Sequence, residues 1–183
     1  VGPAGTAGVA GVIGPTGPIG ATGAAGATGA VGGILSYGYI YNLSYEVLAN
    51  ANTAQPITFD SAGVLSGVAF TPGGSTMTVA NAGTYLITFS VSAEEPNQFA
   101  IFVNSTNSNS TSTIYGSGAG TQQNNGSAIL ILPAGAQLTL CNYNSSAGSI
   151  ILEGIGDPAP PNPPYIGGYQ TAVNASVTII QLA

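Results

Sequence analysis

The chain has 183 residues, with no lysine, arginine, histidine or tryptophan, and its six carboxylates set a formal charge of −6. Without a cationic side chain it has nothing to neutralise phosphates or anionic headgroups, which excludes nucleic acid and charged membrane surfaces as partners. Side-chain ion pairs are excluded as well, so stability must come from apolar burial and hydrogen bonds, with little dependence on salt or on pH between about 6 and 9.

The first element is a repeat. Glycine stands at Gly2, Gly5, Gly8, Gly11, Gly14, Gly17, Gly20, Gly23, Gly26, Gly29 and Gly32 without a miss. This is the collagen period, in which three polyproline-II chains wind together and only glycine fits the crowded axis. A collagen-like stalk is therefore expected over residues 1–33, and its ten triplets would extend roughly 90 Å. Pro3, Pro15 and Pro18 occupy the first place after glycine, whereas Thr16, Thr22 and Thr28 stand in the second. With no proline in the second place the stalk is intrinsically weak and needs an attached trimeriser to raise the effective concentration of its three chains. The chain opens at Val1 inside a repeat, as a processed or truncated form would.

From Ile34 the period changes to two, the spacing of half-buried strands. Tyr37, Tyr39, Tyr41, Leu43, Tyr45 and Val47 share one side of an extended run, as do Tyr85, Ile87, Phe89 and Val91, and then Phe99, Ile101 and Val103. Further strands are expected at 57–59, 64–70, 76–79, 113–115, 128–132, 137–143, 149–153 and 176–182, separated by turn signals such as TPGGS, NAG, EEPN, PAG and SSAG. No stretch holds a 3.6-residue period. Hydrophobic residues make up 44% of the chain, enough for a core, yet no apolar run reaches the roughly 18 residues of a membrane span. The expected fold class is all-β: a jelly-roll sandwich over residues 34–183. The proline-rich stretch from Asp157 to Tyr169 reads as a long extended connection, or as a polyproline-II ligand for a partner domain.

Two strands look apolar on both sides, AILIL (128–132) and VTIIQL (177–182). One side of a sandwich strand meets the core, so a second apolar side calls for a partner subunit. The tyrosine stripe after the repeat suits an interface too, because tyrosine fills space and keeps a wet tip; a carbohydrate-stacking platform is the alternative. The trimer-interface candidates are Tyr37, Tyr39, Tyr41, Ile129, Ile131, Ile179, Ile180 and Leu182.

Chemistry finds few footholds. No side chain is available as a basic catalyst or oxyanion clamp, so no enzyme activity, catalytic residue or cofactor is expected. Glu94 and Glu95 are adjacent, but a solvated loop accounts for them better than a glycosidase pair. No metal site is predicted; Asp60, Glu153 or Asp157 with carbonyl oxygens, gathered by threefold symmetry, is the one Ca²⁺ alternative. Cys141, the single cysteine, is either a small buried hydrophobe or a partner in an interchain disulfide. The Asn-x-Ser/Thr sequences at Asn42, Asn104, Asn109, Asn125, Asn144 and Asn174 are what chance supplies in so Asn- and Ser-rich a chain. The polar run from Asn104 to Thr113 reads as a solvated connection, or as a ligand-facing loop.

Collagen triplets ahead of such a head resemble the collagen-like glycoproteins of the Bacillus spore surface, the BclA family, and more distantly the complement and tumour-necrosis-factor superfamily of trimeric jelly rolls. The residues carrying the likeness are NAGTYLITFSVSA (Asn81 to Ala93), SAILILPAGAQLTLCNY (Ser127 to Tyr143) and the closing SVTIIQLA (Ser176 to Ala183). The resemblance implies a homotrimeric filament on the exosporium, the outer spore layer, with the head at the tip. It also implies O-linked glycans on Thr16, Thr22 and Thr28, with Thr6 a further candidate, and attachment to the exosporium basal layer or to an appendage anchor protein. Two functions follow: a structural surface fibre whose head trimerises and nucleates the stalk, or an adhesin or lectin-like tip that contacts a host surface or matrix.

Overall fold

The computed structural model of the chain describes residues 1–23, 35–49, 54–107, 113–118, 123–152 and 172–182. Two compact units emerge, Val1–Val31 and Gly32–Ala183. In the first, residues 1–23 form no helix or strand and all are exposed. A Cβ placed on any glycine from Gly2 to Gly23 would meet no atom within 4 Å.

The second unit is built of antiparallel strands, with no α-helix among the described residues. In chain order they are β1 (Tyr37–Asn42), β2 (Glu46–Ala49), β3 (Gln55–Pro56), β4 (Ser61–Ser66), β5 (Val68–Ala69), β6 (Met77–Val79) and β7 (Gly83–Ser92). There follow β8 (Asn97–Val103), β9 (Thr106–Asn107), β10 (Ile114–Ser117), β11 (Gln123–Leu132), β12 (Gln137–Asn142), β13 (Ser149–Leu152) and β14 (Ala175–Gln181). One sheet has five strands in the order β11-β7-β14-β1-β4. The other runs β10-β8-β12-β6-β5, with β3 on β12 and β9 on β8, and β13 pairs with β2 apart from both.

The period-two reading explains how these sheets meet. Tyr85, Ile87, Phe89 and Val91 of β7 all point inward and are buried together with Ile40, Phe59, Met77, Phe99, Ile101, Leu138, Leu140 and Ile179. Tyr85 can be wholly buried because its hydroxyl donates to the Asn81 carbonyl at 2.7 Å, four residues upstream, leaving no unpaired polar atom. The expected all-β sandwich is the observed one. β8 goes further than its alternation promised: Ala100 and Phe102 on its other side are buried with Cys141 in a small second cluster that Ala54, Ile114 and Tyr143 flank.

Three expected strands are cut differently. The tyrosine run from Tyr37 to Val47 is not one strand: it breaks after Asn42, and its second half leaves for the β2–β13 pair. The expected strand 64–70 is two, because Gly67 turns with φ +63°, its bare Cα beside Ser36, and sends β5 into the opposite sheet. No regular strand forms at 57–59, where only Phe59 bridges to Gly74. The polar run after Val103 opens as a two-residue hairpin, with Asn104 and Ser105 at φ 52° and 59°, the signature of a type I′ turn. The proline-rich stretch lies outside the described residues.

Candidate functional site

Strand register decides what the outer side of the five-stranded sheet presents, because directly paired residues point the same way. Ile131 pairs with Thr84, and the Leu182 N–H donates to the Thr84 carbonyl at 2.7 Å. The next row across the sheet is Ile129, Leu86, Ile180 and Tyr37. Then come Ser127, Thr88, Thr178 and Tyr39, followed by Asn125, Ser90, Ser176 and Tyr41. The face is therefore graded. At the end where β1 begins it is apolar; toward the end of β1 it is lined by hydroxyls and amides. No carboxylate stands in these rows.

The interface candidates distribute accordingly. Ile129 and Ile131 are 64% and 86% exposed, a costly display of branched apolar surface on adjacent outward positions. Tyr37, Tyr39 and Leu182 are exposed, while Tyr41 and Ile180 are half-buried on the same side. Ile179 departs from this set. At 0% exposure it is spent on the protomer's own core, since period two puts it opposite Ile180. Leu86 was not singled out, although it joins Ile129 and Ile180 directly; its place between Tyr85 and Ile87 was the available signal. The exposed Val64 also borders this face on β4.

A hollow of about 420 Å³ opens in the polar rows, lined by Thr88, Ser90, Asn125, Ser127, Ser176 and Thr178. Phe89 and Tyr115 reach it too, their rings edge to face at 5.7 Å. Gly126 makes that packing possible, because a Cβ there would collide with both rings. The Tyr115 hydroxyl donates to the Ser127 carbonyl at 2.5 Å, and the Gln123 side-chain amide donates to Ser90 Oγ at 2.7 Å. Across β14 stand Tyr39 and Tyr41, stacked with centroids 5.2 Å apart.

Buried hydrogen bonds brace both ends of β1. At its start the Ser36 hydroxyl donates to Gln181 Oε1 at 2.7 Å, and the Gln181 amide donates to the Ala82 carbonyl at 3.2 Å. At its end Asn42 Nδ2 donates to Asn174 Oδ1 at 3.0 Å, and both side chains donate to the Ser44 carbonyl. Two of the six Asn-x-Ser/Thr sequences, at Asn42 and Asn174, are thus committed to the interior. Asn104, Asn125 and Asn144 have described surroundings outside the core, and Asn109 lies outside the described residues.

Asp60, Glu46 and Glu95 each accept from main-chain N–H groups. Asp60 accepts from the Leu43 N–H at 3.2 and 3.3 Å and from the Ser44 hydroxyl at 2.6 Å, which is also why the tyrosine run breaks there. Burial pushes the Asp60 carboxyl up, but bonds from Ser44, Ser61 and Leu43 outweigh it and hold it below its ordinary value. For Glu46 burial prevails over its bonds from Thr58, and the carboxyl lies above its ordinary value. Glu94 and Glu95 part company: Glu94 is exposed, whereas Glu95 accepts from the Ile151 N–H at 2.9 Å. Glu153 and Asp157 lie outside the described residues, and no group of three metal-ligating side chains occurs among those described. Cys141 is free and buried, 3% exposed, and burial raises its thiol, the character of a packed hydrophobe and not of an exposed bridging sulfur. Thr6, Thr16 and Thr22 are exposed in the repeat; Thr28, Gly26, Gly29 and Gly32 lie outside the described residues.

No family model matches the sequence, and no curated protein does. Solved structures do. The chain is similar to the globular domain of a zebrafish complement 1qA protein, with 12% identity and a TM-score of 0.54 over 81% of this chain and 98% of that one. Murine APRIL at pH 8.0 gives 11% and 0.53 over 80% and 98%, and the Eiger TNF of S. frugiperda 11% and 0.53 over 82% and 94%. At such identities the likeness shows the fold: the head is a complement-1q/TNF-like jelly-roll sandwich.

Proposed function

We propose that three copies of the head join through the apolar end of the outer sheet face, and that this trimer holds three repeats in register as a collagen-like triple helix. The observation that carries the reading is the glycine period itself. Glycine at every third place is what three polyproline-II chains wound together require, and each described glycine of the repeat is open to such neighbours. Ile129, Ile131, Leu86, Ile180, Leu182 and Tyr37 supply the apolar surface that a partner subunit would cover.

The assembly is a structural surface fibre of the spore-exosporium type resembling the BclA family, with the head at its tip, O-linked glycans on Thr16, Thr22 and Thr28, and an anchor in the basal layer or an appendage protein. It carries out no catalysis: the chain has no basic side chain, and Asp60, Glu46 and Glu95 are engaged with backbone N–H groups. Mass in solution tests the core of this reading. The full chain and residues 35–182 should both run at three times their chain mass, and a monomeric head overturns it. The hollow in the polar rows favours the second reading, a tip that also binds.

A further inference from the structure

We infer that the buried hydrogen-bond cluster around Ser36 is a mechanical clamp, which passes a pull on the repeat into β14. Among the described residues Ser36 is the first buried one after the repeat. Chain connectivity brings any tension on the repeat into the head there. A polar residue at 0% exposure calls for partners, and two segments distant in sequence supply them. The Ser36 hydroxyl donates to Gln181 Oε1 at 2.7 Å and accepts from Asn81 Nδ2 at 3.2 Å. Its carbonyl accepts from the Gln181 N–H at 2.8 Å. Each partner is held in turn. The Gln181 side-chain amide donates to the Ala82 carbonyl, and the Asn81 carbonyl accepts from the Tyr85 hydroxyl. A Cβ on Gly67 would overlap Ser36, and one on Gly83 would overlap the Gln181 amide, so both turns close directly on the pair.

The far end of β1 is closed in the same manner. The Asn174 N–H donates to the Asn42 carbonyl at 3.0 Å, and Asn42 Nδ2 donates to Asn174 Oδ1 at 3.0 Å. β1 is thus fastened at both ends to the residues that bound β14: Gln181 is its last, and Asn174 stands just before its first. Between these fastenings Tyr37 to Asn42 pair residue for residue with Ile180 to Ala175. β4 pairs along the other edge.

Geometry decides how this arrangement answers to force. Ladder hydrogen bonds lie perpendicular to their strands. Tension along β1 therefore strains both of its ladders together and does not open them pair by pair. Hydrogen bonds hold only within a narrow range of distance and angle, whereas apolar contact is non-directional and lets surfaces slide. A polar fastening where the pull arrives resists the first small displacement of β1. Beyond it, β14 lies between β1 and β7, so the strain passes to the centre of the sheet. The stalk reading supplies the source of tension, and the inference rests on it for that alone. The clamp is built within one protomer, so the two can fail separately.

The test holds single full-length chains at constant force and reads the lifetime of the folded head, since forced unfolding follows the unfolding rate. The first line of force runs from the N-terminal amine, the one amino group of a chain without lysine, to a thiol at Ser146→Cys, with Cys141→Ala removing the native thiol. β11 ends beside Gly83 and β12 turns back from there, so the exposed Ser146 lies at the end of the sandwich away from Ser36. The second line joins Gln137→Cys to Ser146→Cys along β12 in the other sheet and bypasses Ser36. Ser36→Ala should shorten the lifetime about five- to tenfold on the first line and leave the second unchanged. Asn81→Ala, at an exposed side chain, should act in the same direction more weakly and carries the test should Ser36→Ala not fold. Equal shortening on both lines shows a general loss of stability and overturns the inference. Unchanged lifetimes on the first line overturn it as well. Selective shortening in a chain that proves monomeric supports the clamp and counts against the trimer alone.

Discussion

Glycine does two different jobs in this molecule. In the repeat it returns every third residue, and from Gly2 to Gly23 no atom of the same chain comes within 4 Å of the place where a side chain would be. In the head, Gly126 is pressed between Phe89 and Tyr115, and a Cβ there would overlap both rings. The second glycine answers to neighbours within its own chain, so the isolated protomer already requires it. On the proposed reading the first answers to neighbours in other chains. The proposed assembly turns that difference into one between what a single chain folds alone and what several chains form together.

The contrast can be broken from the head side first. Gly126→Val should destabilise the head by about 3 kcal/mol or more, because the overlap falls on ring atoms in a packed wall and not on a flexible tip. Thermal unfolding should show head and repeat lost together. Next comes the join. Ile129→Asp combined with Ile131→Asp should convert a trimer to monomers in sedimentation, while the head's own melting shifts little, since both residues are exposed in the protomer. Three charged pairs would then face a partner across a desolvated surface. Gly17→Val should act on the repeat alone, removing its triple-helix circular-dichroism signal and leaving the head trimeric with an unchanged melting temperature.

The smallest effect sharpens the comparison by way of pH. Asp60 has a folded pKa below its ordinary value, so its contribution is complete above the unfolded pKa and is lost as pH falls through the folded one. Cys141 is raised, so its contribution is complete below the ordinary thiol value of 9.0 and declines as pH rises above it. Glu46, raised by burial, works against Asp60 at the acid limb. Melting temperature should therefore be flat through neutrality, with Asp60→Asn flattening the acid decline and Cys141→Ala the alkaline one. The repeat has no carboxylate in residues 1–33 and should contribute to neither limb.

Much of this was legible in the sequence, for a reason that also sets its limit. Period two is a local property, so the inward set of β7 and the outward pair Ile129 and Ile131 could be read from alternation alone. Register is not local. That Leu86 sits between Ile129 and Ile180, or that Thr88 and Thr178 share a hollow with Ser127, follows from β14 lying between β7 and β1, and strands 83–92 and 175–181 meet across most of the head. The break in the tyrosine run was invisible because Asp60 and Asn174, distant in sequence, impose it. An apolar residue on each side of β14 does not say which side faces the core, and Ile179 takes that side while Ile180 faces out. The glycine period needed no structure, because it is written in one dimension.

The position of β14 has a consequence for the order of events during synthesis. Until it arrives, the five-stranded sheet exists only as two unconnected pairs, β11 with β7 and β1 with β4. Every other described strand of the head precedes it in the chain, and Ser36 and Asn42 find Gln181 and Asn174, their buried side-chain partners, on it or beside it. Although domains often begin to fold as they leave the ribosome, this sheet cannot close while β14 remains in the exit tunnel. In the proposed assembly, heads would then complete and meet before three repeats are gathered, and the triple helix would wind from the head toward Val1, against the direction in which the chain was made.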